Sequence, residues 1–281
     1  MTVNPALALR LETGALYGFF ERQKNLYKRY WAWEVVWFVY SLVGVLSIGY
    51  LASGLEALGA GSSHFDVHAA QIYLLAGALL WNYLSLIFIQ VTEAISWERW
   101  EGTIEYTFMA PVRRVTHLFG ICAFSVFYGT LRSALVAVAV VGMFHLDLTH
   151  ADLALALVVL LASIVPLVGL GIFTSILPLL SPEKGEQMTF AVQGVILLVS
   201  GVYYPVSVLP LPLRALGTVS PLTYTLQGVR ACLLQGKHVG DELGVIALLL
   251  AMGAGLIPAG LAAFAVAERR AKRLGLLKRS G

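Results

Sequence analysis

Charge is what this sequence has least of: Asp, Glu, Lys and Arg make up 12% of 281 residues, against 58% hydrophobic residues and a mean hydropathy of +0.79. A soluble domain of this size cannot bury so much apolar surface, so the composition excludes a soluble globule and puts the chain in a bilayer. Cysteine is nearly absent as well. The two present, Cys122 and Cys232, fall at opposite membrane levels of the spans assigned below, which excludes a disulfide between them and any disulfide framework. The chain also lacks period-two alternation, and with it the signature of a transmembrane β-barrel. Missing too is the phosphate-cradling pattern GxxxxGK[ST]; Gly236-Lys237-His238 has neither its first glycine nor its hydroxyl. If ATP is used, another chain holds it, and no cofactor is expected here.

What the chain does have is long apolar runs. Crossing a hydrocarbon core of ~30 Å takes about 20 residues of helix, and runs of that length cover 31–53, 69–95, 116–144, 153–180, 188–208 and 243–267. These predict an all-α integral membrane protein whose six-span domain occupies residues 31–267. Residues 1–30 precede it as an amphipathic helix: Asn4 can cap a helix starting at Pro5, and Leu16, Phe19, Phe20, Gln23, Tyr27 and Tyr30 recur at helical spacing. With Arg22, Lys24, Lys28 and Arg29 on its other faces, this helix is expected to lie flat at the membrane interface. Its charges interrupt any apolar h-region, so it does not read as a cleavable signal peptide.

Orientation follows the basic residues. Of 19 lysines and arginines, only Arg214, Arg230 and Lys237 fall on one side and Arg132 within a span; the others crowd the N-terminal helix, the second-to-third and fourth-to-fifth connections and the basic tail 268–281. Both termini are therefore expected in the cytoplasm of a multi-pass protein of the plasma or inner membrane. Anionic headgroups account for these charges, so no nucleic-acid partner is expected. His64, Asp66 and His68 in one external loop, and His145, Asp147 and His150 in another, have spacings that can bind zinc, yet ordinary wet loops contain the same residues. No metal site is assigned.

One polar stretch interrupts the oil: WERWEGTIEYTFMAPVRR, Trp97 to Arg114. On a helical wheel Trp97, Trp100, Ile104 and Phe108 share one face, beside a stripe of Glu98, Glu101 and Glu105. The pattern predicts a short cytoplasmic helix over about 97–110, its apolar face against membrane or spans and its carboxylates toward the cytoplasm. Like charges one turn apart ask for a basic partner, although Glu98 and Glu101 would also complement a helix N-terminus. Farther on, residues 205–240 are too polar and too broken by Pro210, Pro212 and Pro221 for a span, yet their leucines resist plain exposure. A re-entrant pair of short helices over about 209–240 satisfies both conditions.

Glu98, Arg99, Gly102, Thr103 and Glu105, followed by Pro111-Val112, resemble the connection between spans two and three in permeases of the ABC transporter type 2 family. Gly201-Val202-Tyr203-Tyr204-Pro205, Leu209-Pro210, Ser220 to Tyr224 and Arg230 resemble that family's segment between spans five and six. The resemblance implies the transmembrane subunit of an exporter, pairing with a second copy of itself and with two copies of a cytoplasmic ATPase that carries ATP and Mg. It implies that Glu98, Arg99, Glu101, Gly102, Thr103 and Glu105 belong to a coupling helix docked on that ATPase. It also implies that Pro205, Pro210, Pro221, Tyr224 and Arg230 belong to an external lid. The alternatives are an ion-gradient-driven secondary transporter and, on the external histidines, a membrane metalloenzyme. No internal repeat and no carboxylate relay support the former.

Aromatics mark a possible path. Tyr73, Trp81 and Phe88 share a face of span two, and Phe190, Tyr203 and Tyr204 add to span five. A path so lined suits an amphipathic or lipid-like cargo, with polysaccharide or glycolipid as an alternative, although such stripes equally serve packing or contact with membrane lipids. Arg132 sits roughly 24 Å along span three at ~1.5 Å per residue. It can snorkel outward, or, with Tyr128, Thr130 and Ser133 marking a protein-facing side, hold carbonyls near Pro210 and Pro221.

Overall fold

A computed structural model describes residues 5–57, 67–146, 151–181, 183–235 and 239–276. Its helices are α1 (Pro5–Arg29), α2 (Trp31–Ala57), α3 (Val67–Trp100), α4 (Ile104–Met109), α5 (Arg114–Phe144), α6 (Leu153–Thr174), α7 (Ile176–Leu180), α8 (Gly185–Val199), α9 (Leu211–Val219), α10 (Pro221–Gln235) and α11 (Val239–Arg273), with a 3-10 turn at Val206–Val208. Among the described residues there is no strand, as the missing period-two pattern required.

Five helical segments are long and apolar enough to cross a membrane: Trp31–Leu51, Ala70–Trp100, Arg114–Phe144, Leu153–Leu180 and Glu242–Arg273. They coincide with expected spans one to four and six. The expected fifth, 188–208, is shorter: α8 has 15 residues, about 22 Å at ~1.5 Å per residue, and stops at Val199. Gly201 ends it by turning the chain at φ +72°, a left-handed conformation that glycine adopts without a Cβ clash.

The segment 1–30 also departs from expectation. Glu12 contacts Thr116, Phe19 lies 4.7 Å from the His117 ring, Phe20 5.5 Å from Phe124, and Tyr27 4.8 Å from Tyr128. Partners ascend together along both chains, so α1 runs lengthwise beside the first half of α5 in the same direction. After a single turn residue, Tyr30, the chain continues as α2. The aromatic stripe that the wheel assigned to the membrane surface thus packs on a span.

At the centre stands α3, packed against α2, α5, α6, α8 and α10. On the far side α11 lies along α6, and the two approach closely at Gly253, where a Cβ would come within 2.5 Å of Val165. Small residues permit such contacts where lipid supplies no hydrophobic drive between helices. Helix α2 is peripheral: only 11% of its apolar window is buried, which leaves a cleft along its contact with α3.

Candidate coupling and transport sites

The predicted helix over 97–110 is two pieces. Helix α3 continues to Trp100 and then closes with Gly102 at φ +72°, the Thr103 amide donating to the Glu98 carbonyl at 2.8 Å and the Gly102 amide to Arg99 at 3.1 Å. That pair of bonds is a Schellman closure, which needs a left-handed residue at the glycine position. The chain restarts as α4, so the four apolar residues do not share a face: Ile104 and Phe108 are buried, whereas Trp100 is 80% exposed. Arg114 pins α4 by donating from Nη1 to the Thr107 carbonyl at 2.8 Å and from Nε to Glu268 of α11 at 3.0 Å, its guanidinium lying 4.4 Å over the Phe108 ring.

The acidic stripe is likewise broken. Glu98 is 1% exposed and turned inward. Its Oε1 accepts from Arg22 Nη1 of α1 at 2.6 Å and lies 3.0 Å from His117 Nε2 of α5. Arg22 Nη2 also donates to Glu101 at 3.2 Å and to the Thr103 hydroxyl at 2.8 Å. The basic partner that the carboxylates required is thus within the chain, and Glu98 is a buried tie among three helices. Glu101 and Glu105 remain on the surface. Arg99 is buried and donates to the Leu276 carbonyl, fastening the end of α11 to α3.

At the opposite end of α3 stands Arg230 of α10. It donates to the carbonyls of Gly201 at 3.0 Å, Tyr73 at 3.2 Å and Val202, with its guanidinium 3.5 Å from the Tyr73 ring centroid. Gly77 admits this arrangement, since a Cβ there would lie 2.1 Å from the Val202 carbonyl oxygen. Pro210 precedes α9, Pro221 starts α10, Pro205 precedes the 3-10 turn, and the Tyr224 hydroxyl donates to the Thr218 carbonyl at 2.7 Å. Helices α9 and α10 are two short consecutive helices, with α10 packed along α6 and the Asp152 amide donating to the Cys232 carbonyl at 3.1 Å.

Arg132 reaches neither Pro210 nor Pro221. Its Nη2 donates to the Trp37 carbonyl at 2.5 Å and the Ser41 hydroxyl at 2.6 Å, and its Nη1 lies 3.8 Å from Glu34. Glu34 also accepts from Tyr128 at 2.6 Å. The arginine ties α5 to α2, a helix whose acidic residue the sequence reading overlooked.

Between α2 and α3, closed at one end by α1, lies a cleft of about 790 Å³. Of the predicted path residues it brings together Trp81, Phe190 and Tyr203. Phe88 is buried elsewhere, Tyr73 sits under Arg230, and Tyr204 folds back on the Leu198 carbonyl. Also in the lining are Glu34, Asn82, Gln90 and Glu93. Polar residues inside apolar runs were the signal that could have found them. Burial, then the carboxylates of Glu93 and Glu34, push the Tyr27 phenol at the α1 end well above its ordinary value. Among the described residues no three His, Cys, Asp or Glu gather as a metal site. His145 closes α5 in a left-handed turn; the side chains of His64, Asp66, His68, Asp147 and His150 lie outside the described residues.

Among the described residues the chain is a helical bundle with five helices of membrane-crossing length, a pinned polar turn at one end and an aromatic cleft, the architecture of a membrane protein. The chain belongs to the ABC-2 type transporter family, which it matches over residues 16–234. It is a permease subunit of that transporter class. No curated protein matches it in sequence.

Proposed function

We propose that the chain is the permease of an ATP-driven exporter, moving an amphipathic or lipid-like substrate outward across the plasma or inner membrane. Two copies pair, and two copies of a separate ATPase subunit bind ATP and Mg on the cytoplasmic side. The chain crosses six times, α8 being the short fifth crossing, and α9–α10 form a re-entrant external lid held by Arg230. Both termini are cytoplasmic, which agrees with the placement of the basic residues.

The observation that carries this reading is the turn after α3. Arg22, His117 and Arg114 tie it to α1 and α5, Arg114 meets Glu268 of α11, and Glu101 and Glu105 stay outside. A push on so tightly fastened a turn reaches three other helices directly, whereas a loose loop would absorb it. Co-reconstitution of the permease with its ATPase tests the reading. Replacing Glu101 and Glu105 together with glutamine should weaken ATPase binding and transport while lowering the melting temperature less than Glu98→Gln does, since the Arg22–Glu101 pair is partly exposed, and unchanged coupling contradicts the docking role.

A further inference from the structure

The cleft between α2 and α3 holds polar atoms that the protein itself does not satisfy. Its charged side chains are engaged within the chain: Glu34 accepts from Tyr128 and lies beside Arg132, Arg132 also reaches Trp37 and Ser41, and Glu93 is not free either. Three polar atoms of lining residues are nevertheless buried without a hydrogen-bond partner: the acceptors Asn82 Oδ1 and Gln90 Oε1, and the donor Arg132 Nε. Gln90 as a whole is 6% exposed and Arg132 7%. Leaving such atoms unpaired is costly, so three of them around one cavity of about 790 Å³ point to a guest that pairs with them.

Resting on the export reading above, we propose that this cleft binds uncharged amphiphiles with a polyhydroxylated head. Unpaired acceptors and an unpaired donor in one cavity suit hydroxyl groups, which both donate and accept, whereas an ammonium only donates and a phosphodiester only accepts. With the charged residues already engaged, no ionic group is needed to balance them. The Tyr83 hydroxyl lies 3.2 Å from that of Thr130, which puts neighbouring Asn82 and Arg132 at one level of the bundle. Gln90 stands about 12 Å farther along α3, at ~1.5 Å per residue, so the head that reaches both levels carries two or more rings. Trp33, Trp37 and Tyr40 follow one another on α2, exposed and with successive rings 6.4 and 5.8 Å apart. Such rings take the C–H faces of a polyol and leave its polar rim free to bond. Leu86 and Ile89 add apolar lining for the chain of the amphiphile.

The experiment uses the permease alone in nanodiscs of zwitterionic lipid prepared without sugar detergents, and tritiated dodecyl maltoside as the probe, kept below the concentration that dissolves the discs. Saturable binding is expected above that of empty nanodiscs. Unlabelled dodecyl maltoside should displace it, whereas dodecylphosphocholine, whose head only accepts, and dodecylammonium, whose head only donates, should not, although all three share one chain. Gln90→Leu removes an acceptor that has no partner within the protein, so it should leave the melting temperature unchanged and yet raise the Kd about three- to tenfold, the size of one neutral hydrogen bond. Absence of saturable binding, which would leave the unpaired atoms to water, overturns the proposal; so does equal displacement by either ionic surfactant, or wild-type affinity in Gln90→Leu. Should that variant fail to fold, the competition on the wild type decides alone. If ATP-coupled export of another cargo persists without maltoside binding, only this proposal fails; maltoside binding with no ATP coupling refutes the export reading instead.

Discussion

Arg22 and Glu98 stand 76 residues apart in the chain and 2.6 Å apart in the fold. Their bond fastens the N-terminal helix to the C-terminal end of the central one, and His117 completes it from a third helix. Removing one partner from a fully buried ion pair costs about 3–5 kcal/mol. Here Arg22 is 32% exposed, so solvent compensates in part and Glu98→Gln should cost about 2 kcal/mol. Arg22→Lys keeps the charge but cannot span Glu98, Glu101 and Thr103 at once. Its melting temperature in detergent should fall between those of wild type and Glu98→Gln; a lysine variant as stable as wild type would mean that charge alone, without the fork, holds the junction.

Close approach at Gly77 predicts a second effect. A methyl group there would meet the Val202 carbonyl and the Arg230 guanidinium, so Gly77→Ala should destabilise by about 1–3 kcal/mol, as overpacking does. Gly44 lies on α2 with nothing within 4 Å of a built Cβ, and Gly44→Ala should be neutral. Thermal melting of both variants checks the contrast, and equal behaviour would contradict the geometry around Arg230.

The two buried arginines should separate by location. Arg132→Lys loses part of the grip on Trp37, Ser41 and Glu34 and should loosen α2, whereas Arg230→Lys loses carbonyls of Gly201, Tyr73 and Val202 and should loosen α9–α10. Hydrogen exchange by mass spectrometry reads this directly. Faster exchange in α2 is expected for the first variant and in 211–235 for the second; the reverse assignment would restore Arg132 to the lid.

Topology is open to labelling, because both native cysteines are buried. A cysteine at Thr218 should react with an impermeant thiol reagent in intact cells, and one at Glu105 only after permeabilisation. The opposite pattern would invert the orientation proposed from the positive charges.

Much of the fold was legible because membrane helices announce themselves by length: α2, α3, α5, α6 with α7, and α11 follow the apolar runs. The failures share a physical cause. Helical spacing continued across Gly102, so Trp97, Trp100, Ile104 and Phe108 looked like one face although a left-handed turn separates them. Apolar residues also continued past Gly201, which hid the end of α8. Glu98 read as exposed because its partners lie 76 and 19 residues away, beyond the reach of any local period. Residue type foretold that Arg132 would bond inside the protein, but not that its partners Trp37 and Ser41 lie on α2. On the aromatic face of α3, Trp81 lines the cleft, whereas Phe88 is buried away from it.

The central claim is that this permease moves cargo with ATP hydrolysed on a separate subunit. Its most direct measurement is transport in proteoliposomes containing the permease with and without its co-expressed ATPase, at zero ion gradient, with ATP and then with vanadate. Accumulation that requires both proteins and ATP, and that vanadate abolishes, is the predicted result. Transport by the permease alone, driven by an imposed proton or sodium gradient and indifferent to vanadate, would contradict it.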